Sequence, residues 1–286
     1  MPTTSAPARN ILITGCSSGI GLCVAQGLHA RGWRVFASAR KAEDVERLRQ
    51  LGLEALPLDL ADSMSIHAAM DELLRRSGGT LDALFNNGAY GQPGAVEDLS
   101  RAALREQFET NLFGTHELTC RAIEVMRRQG HGRIIHNGSV LGLIALPFRG
   151  AYNASKFALE GLTDTLRLEL HGSGIHLSLI EPGPIISRFR ANAMQMYRQN
   201  IDADASFFCT TYKRMENRLT REGPAAPFTL PPEAVLAKVI HALESPRPRA
   251  RYYVTFPTYL FGTLKRLLPT SALDWVLRRV SRGENK

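Results

Sequence analysis

Within eleven positions, Ile11 to Gly21, the chain sets three bulky apolar residues before three glycines: Ile-Leu-Ile-Thr-Gly-Cys-Ser-Ser-Gly-Ile-Gly. Ile11, Leu12 and Ile13 form an unbroken apolar run, two of them β-branched. That suits a strand buried on both faces, as in a parallel sheet covered by helices on each side. Gly15, Gly19 and Gly21 then make a turn almost free of side chains, and Ile20, Val24 and Leu28 recur at helical spacing. Strand, glycine turn and helix start bring bare N–H groups and the positive end of a helix dipole to one place, where a pyrophosphate can approach the backbone. The same residues also match Gly15-x-Ser17-x-Gly19, the elbow of a hydrolase nucleophile. An elbow needs an oxyanion donor from an earlier strand–helix loop, and only ten residues precede this strand.

The pattern continues as alternating strands and helices. Strands are expected at Trp33 to Ser38, Leu53 to Leu58, Leu81 to Phe85, Gly132 to His136, Ile175 to Ile180 and Arg251 to Thr255. Helices are expected at Asp44 to Leu51, from a Ser63 cap to Arg76, from a Ser100 cap through Arg101 to Arg128, at Ala151 to Leu170 and at Glu233 to Leu243. This rhythm predicts an α/β fold, a doubly wound parallel sheet of about seven strands with helices on both faces. Residues 1–9 read as a disordered lead-in and residues 10–286 as one domain. Within it, 187–230 lacks clear strands, is long for a connection and reads as a lid over a binding site.

Composition narrows the function. At 44% apolar and 22% charged, the chain is that of a globular protein. No apolar run reaches the roughly 18 residues of a membrane span. Four scattered cysteines (Cys16, Cys23, Cys120, Cys209) form no Cys-x-x-Cys pair, which fits a reduced, cytoplasmic setting. The histidines show no metal-ligand spacing, so no metal is expected. Nearly all of the net charge of +8 falls after residue 246, where nine Lys or Arg face two acids. A nucleic-acid binder would not concentrate its charge so, and no nucleic-acid motif is present.

Tyr152 and Lys156, four apart, share one face of a helix. An ammonium beside a phenol favours the phenolate and lowers the tyrosine pKa, as a general acid–base near neutrality requires. Ser139 stands thirteen residues earlier, just past a strand, and Asn111 lies in the helix before that strand. With Thr14-Gly-x-x-x-Gly-Ile-Gly, this order resembles the short-chain dehydrogenase/reductase family over most of Ile11 to Pro184, with its Rossmann-type fold. The resemblance is closest to NADP-dependent members similar to hydroxysteroid and retinol dehydrogenases and bacterial fatty-aldehyde reductases. It implies Tyr152 as proton donor, Ser139 as hydrogen-bond donor to the substrate oxygen, and Lys156 as the group that lowers the Tyr152 pKa and binds the nicotinamide ribose. Asn111 would support a proton-relay water.

For the cofactor, the resemblance implies contacts from Gly15, Ser17, Ser18, Gly19, Ile20 and Gly21 in the turn. Asp59 and Leu60 would flank the adenine, Asn87 would contact the ribose, Pro182, Gly183 and Ile185 would line the nicotinamide, and Ser187 would touch its carboxamide. Arg40 ends the second strand where an NAD site places an acid, and a guanidinium there accommodates a 2′-phosphate, so NADP(H) is expected. Two departures stand out: Asn86-Asn87-Gly88-Ala89 swaps the family's Ala-Gly, and Gly138 replaces a frequent Ser.

The lid carries Phe189, Met194, Met196, Tyr197, Phe207, Phe208, Tyr212, Met215 and Phe228, which suit either a lipophilic substrate or simple docking. Residues 256–286 read as basic amphipathic helices broken at Pro269. Such helices can lie peripherally on a membrane, pair subunits or roof a site. The expectation is an NADPH-dependent reductase of lipophilic aldehydes or ketones, a homodimer or homotetramer. The rivals are an NAD-dependent alcohol dehydrogenase and a non-catalytic NADP(H) sensor.

Overall fold

Ile11, Leu12 and Ile13 are fully buried in strand β1 (Asn10–Ile13). Their side chains divide between two cores. Ile11 and Ile13 join helix α1 (Gly19–His29) and helix α9 (Glu233–Glu244) on one side, while Leu12 meets helix α3 (Ser63–Ser77) and helix α5 (Gly114–Gln129) on the other. Strand alternation produces this division, and it explains why the run carries no polar residue. The structure is a computed structural model that describes residues 8–224 and 226–284.

Strands β2 (Arg34–Ala39), β3 (Glu54–Pro57), β4 (Ala83–Asn86), β5 (Gly132–Asn137), β6 (Ile175–Glu181) and β7 (Arg251–Tyr253) complete one seven-stranded sheet, ordered β3-β2-β1-β4-β5-β6-β7. Every pairing is parallel. Helix α2 (Ala42–Gln50) covers β2 and β3, and helix α6 (Gly150–Glu169) runs beside β6. The strand order reverses between β1 and β4, so a crevice opens at their C-terminal ends. The expected doubly wound architecture is the observed one.

Several boundaries differ for physical reasons. Asp62, not Ser63, caps α3, its carboxylate accepting from the Met64 amide at 2.9 Å. Ser100 does cap its helix, with Oγ accepting from Ala103 N at 3.1 Å. The long helix expected from Arg101 is divided into α4 (Arg101–Phe108), a π-helical turn at Glu109–Phe113 and α5. The division lets α5 press against the loop after β3, so closely that a Cβ on Gly114 would lie 1.7 Å from the Leu60 carbonyl oxygen. The last strand ends at Tyr253, short of the expected Thr255.

Of the lead-in, residues 1–7 lie outside the described residues. Arg9 is not loose: its carbonyl accepts from Arg34 N, and its guanidinium lies 4.1 Å from the Trp33 ring centroid.

The lid forms helices α7 (Phe189–Asn200) and α8 (Cys209–Thr220) with a small core of their own. Met194, Tyr197, Tyr212 and Met215 pack there against Ala95, Leu99 and Phe148. Helices α10 (Phe256–Leu267) and α11 (Thr270–Glu284) break at Pro269 as expected. Their apolar residues Phe261, Leu264, Leu273, Val276 and Leu277 pack on Leu141, Ile144, Leu146 and Tyr152. Among the three roles open to these helices, that of an intramolecular roof is the one the packing displays. No helix among the described residues is long and apolar enough to cross a membrane.

The Gly114 contact yields a test. Gly114→Ala should destabilise by about 2–3 kcal/mol, since the overlap is with backbone that cannot rotate away. Gly161→Ala, in mid-α6 with nothing within 4 Å of the added carbon, should stabilise by about 0.5–1 kcal/mol. Urea unfolding of both variants beside the parent measures the difference.

Candidate active site

Helix α6 delivers Tyr152 and Lys156 to the crevice on one face. Lys156 is buried, and its Nζ donates to the Asn137 carbonyl at the end of β5 at 2.7 Å. Burial lowers its pKa to about 8, the Glu160 charge acting in the opposite sense. Tyr152 stands one turn before Lys156. Burial pushes its phenol up to about 12, with the Ser139 hydrogen bond and the Arg149 charge pulling the other way. The Lys156 ammonium lies 5.7 Å from the Tyr152 ring centroid while donating to Asn137. At neutral pH the phenol therefore keeps its proton, as an acid must.

Ser139 is buried at the end of β5, within hydrogen-bonding reach of Tyr152, and its Oγ also accepts from Leu141 N at 3.1 Å. Asn111 sits in the π-helical turn, where such turns often mark function. Its amide donates to the Tyr90 carbonyl at 2.9 Å and to Ser155 Oγ at 3.1 Å, and its Oδ1 accepts from Tyr90 N. The Asn111 side chain thus braces the crevice wall against α6, and only its main chain is left for the expected water. The four expected catalytic residues, Asn111, Ser139, Tyr152 and Lys156, converge on one end of the sheet.

The glycine turn lies beside them. Gly15 and Gly19 adopt φ of +70° and +56°, which a side chain disfavours. A Cβ on Gly21 would lie 2.3 Å from the Gly15 carbonyl oxygen, so this glycine closes the turn. Ser18, the N-cap of α1, makes no capping bond with its side chain, and no acid occupies the first turn. Gly19, Ile20 and Gly21 thus present a helix start with open donors. Ser187, after β6, packs over Gly19: a Cβ there would lie 2.9 Å from the Ser187 Cβ. Bare donors, unhindered backbone and the positive dipole end fit the diphosphate of a dinucleotide.

Arg40 is exposed at the end of β2 and makes no hydrogen bond or ion pair among the described residues. It is free to receive a phosphate. Arg47 went unnoticed in the sequence, yet its guanidinium on α2 donates to the Ser17 carbonyl and pairs with Asp44 at 2.8 Å. An arginine one helical face on from Arg40 was the available signal.

The other expected contact residues have partners within the protein. The Asn87 amide donates to the carbonyls of Thr14 (2.9 Å) and Gly15 (3.2 Å), and its Oδ1 accepts from Asn137 Nδ2 at 2.9 Å. The Leu60 side chain belongs to the second core, leaving only its backbone for a ligand. Asp59 accepts from Ala61 N at 3.0 Å with one oxygen and remains half-buried at the crevice rim. Pro182 is buried with its carbonyl engaged by Val140 N, Gly183 packs on Thr255, and Ile185 pairs with Leu230. The swapped Gly88-Ala89 causes no strain, because neither residue takes a positive φ. Gly88 packs against Leu60, its Cβ position lying 2.9 Å from Leu60 Cδ1.

Phe189, the first residue of α7, stacks edge-on to the Tyr152 ring at 5.3 Å between centroids. It also covers Gly91, whose added Cβ would lie 2.7 Å from the Phe189 ring. Tyr197, Phe208 and Tyr212 dock the lid, whereas Phe189 forms the apolar wall over the phenol. Phe148, at φ +59°, packs edge-on to Phe208 and Tyr212 at the same mouth.

Sheet order, glycine turn and the convergent Asn–Ser–Tyr–Lys set describe one class of protein. The profile described as short chain dehydrogenase matches residues 9–198. The chain belongs to this family, a family of oxidoreductases. It is 44% identical over 270 residues to the uncharacterized oxidoreductase YbbO of Escherichia coli, covering 94% of each chain. It is 36% identical over 260 residues to human 17-beta-hydroxysteroid dehydrogenase type 1, covering 86% of this chain and 77% of that one. An actinorhodin polyketide ketoreductase solved with NADPH is 27% identical, with a TM-score of 0.71 over 86% of this chain and 95% of that one.

Asn87→Ala should lower stability by about 2–3 kcal/mol, because it strands the Asn137 amide and the Thr14 carbonyl without partners. A lower urea midpoint at unchanged slope would register that loss.

Proposed function

We propose that this oxidoreductase reduces lipophilic aldehydes or ketones with NADPH. The observation that carries the reading is Tyr152 within hydrogen-bonding reach of Ser139, under an apolar wall formed by Phe189. NADPH would supply the hydride for the carbonyl carbon. As negative charge develops on the substrate oxygen, Ser139 donates a hydrogen bond to it and Tyr152 transfers its proton, leaving an alcohol and a phenolate. Lys156 holds positive charge below that phenolate, where it favours the charge left behind, and its ammonium is within the same pocket to meet a ribose.

Arg40, unpaired at the end of β2, supports NADPH over NADH. The likeness to a hydroxysteroid dehydrogenase and to a ketoreductase solved with NADPH supports a bulky apolar carbonyl and this cofactor. The open apolar surface of Leu104 and Phe113 on the α4 side supports assembly into a homodimer or homotetramer.

Purified protein should consume NADPH faster than NADH over a carbonyl panel of increasing chain length, including a steroid ketone, with rates rising with apolar size. Tyr152→Phe should cut turnover by about 10²–10⁴-fold while leaving NADPH binding intact. Arg40→Ala should erode the preference for NADPH by about tenfold or more. Tight NADPH binding with no turnover over the panel would favour the sensor reading instead. Equal use of both cofactors would remove the role given to Arg40.

A further inference from the structure

Tyr152 and Lys156 begin a row that continues at the same spacing through Glu160 and Asp164 on α6. Glu160 is 8% exposed and Glu181, the last residue of β6, is fully buried. Arg251 on β7 spans the group. Its Nε donates to Glu181 Oε1 at 3.0 Å, and its Nη2 donates to Glu160 Oε2 at 2.7 Å and to Asp164 Oδ2 at 2.8 Å. The remaining carboxylate oxygens, Glu160 Oε1 and Glu181 Oε2, are buried without a donor, although the two carboxyl groups lie within hydrogen-bonding reach of each other. Two ionised carboxylates are acceptors only, so a bond between them requires a proton.

The position of this pair gives it a consequence. Gly138 N donates to the Ile180 carbonyl at 2.7 Å, and Val140 N donates to the Pro182 carbonyl at 2.8 Å. These two bonds bracket Ser139 on one strand and Glu181 on the other. A Cβ on Gly138 would lie 3.4 Å from Glu160 Oε1, and one on Gly142 would lie 3.0 Å from it. Glu160 therefore fills the space directly behind the loop that carries Ser139. The absent side chain at Gly138 is what leaves its oxygen without a hydroxyl partner.

We propose that Glu160 and Glu181 share one proton across the seam between α6 and β6, and that this pair is the positioning element that holds Ser139 and the Pro182–Gly183 turn in register with Lys156. Loss of the shared proton sets two buried carboxylates against each other and loosens the seam. The positioning role rests on the reductase reading, while the shared proton does not. The charged and titratable groups facing the pair are Lys156 and Asp164 on α6, Arg251 and Tyr253 on β7, and Lys265 and Arg266 on α10. Burial raises both carboxyls, Glu181 to about 8 with the Glu160 charge adding to it.

An acid whose folded pKa lies above its unfolded value of ~4.3 keeps its proton only in the folded chain. Stability therefore falls as pH rises from that unfolded value through about 8 for Glu181. Three measurements test the pair on the full chain. Infrared spectra of the parent should show a protonated-carboxyl band at about pH 6.5 that disappears by about pH 9.5, and the band should be missing from Glu181→Gln. The melting temperature of Glu181→Gln, relative to the parent, should climb by several degrees over the same interval. In carbonyl reduction, kcat of the parent should fall several-fold on the alkaline side, and that fall should shift or vanish in Glu181→Gln with KM little changed.

A parent with no titrating carboxyl band overturns the shared proton, with Glu160→Gln as the second variant should Glu181→Gln not fold. A titrating band accompanied by identical alkaline limbs in parent and variant overturns the positioning role. If no carbonyl is reduced by the parent, the reductase reading fails, while the infrared and melting measurements still decide whether the proton is shared.

Discussion

A chain of hydrogen bonds runs across the C-terminal ends of β1, β4 and β5, and both halves of the site hang from it. The Thr14 carbonyl accepts from Asn87, Asn87 accepts from Asn137, and the Asn137 carbonyl accepts from Lys156. Thr14 Oγ1 adds bonds from the amides of Asn87 and Gly88, at 2.9 and 2.8 Å. Thr14, Asn87 and Asn137 are short and polar, and each sits where a parallel strand stops and its ladder partners run out. Satisfying those polar groups with one another leaves little freedom in the distance between the glycine turn and Lys156. The turn and the Tyr152–Lys156 face of α6 are thus set at a common spacing by the sheet itself.

Close approach of backbone is the second constraint. Gly21 lies against the Gly15 carbonyl, Gly88 against Thr14 and Leu60, and Gly114 against the Leu60 carbonyl. The π-helical turn at Glu109–Phe113 belongs to the same economy of space. It widens the helix by one residue, which aims Asn111 at Tyr90 and α6 while α5 continues against the sheet. A regular helix through this region would present a different face at Asn111 and could not serve both contacts.

Burial then decides the charges. Tyr152 is raised, Lys156 is lowered and His136 is lowered to about 3, in every case chiefly because the charged form is costly away from water. His136 bridges Thr119 and Thr163 as a neutral ring inside the sheet. In the folded protein the lysine turns to a backbone carbonyl, and desolvation dominates the phenol.

The sequence by itself determined the sheet, the glycine turn, the Tyr152–Lys156 spacing and the break at Pro269, because these depend on local pattern: apolar runs, side-chain absence, spacing along one helix and the missing amide of proline. Tertiary structure alone decided what those residues face. Asn87 and Leu60 were legible as neighbours of the turn, but only the packed strands committed one to Thr14 and the other to the core. The lid aromatics read equally as substrate surface or as docking, and the fold sorted them by giving Phe189 to Tyr152 and most of the rest to α7 and α8. The amphipathic C-terminus kept three roles open until its apolar face met Leu141, Ile144 and Tyr152. Arg251 is far from Glu160 in sequence, and no periodicity joins them. Contacts of that kind arise when separate elements close over a common interior, and their strength depends on the water excluded there, which no local pattern encodes.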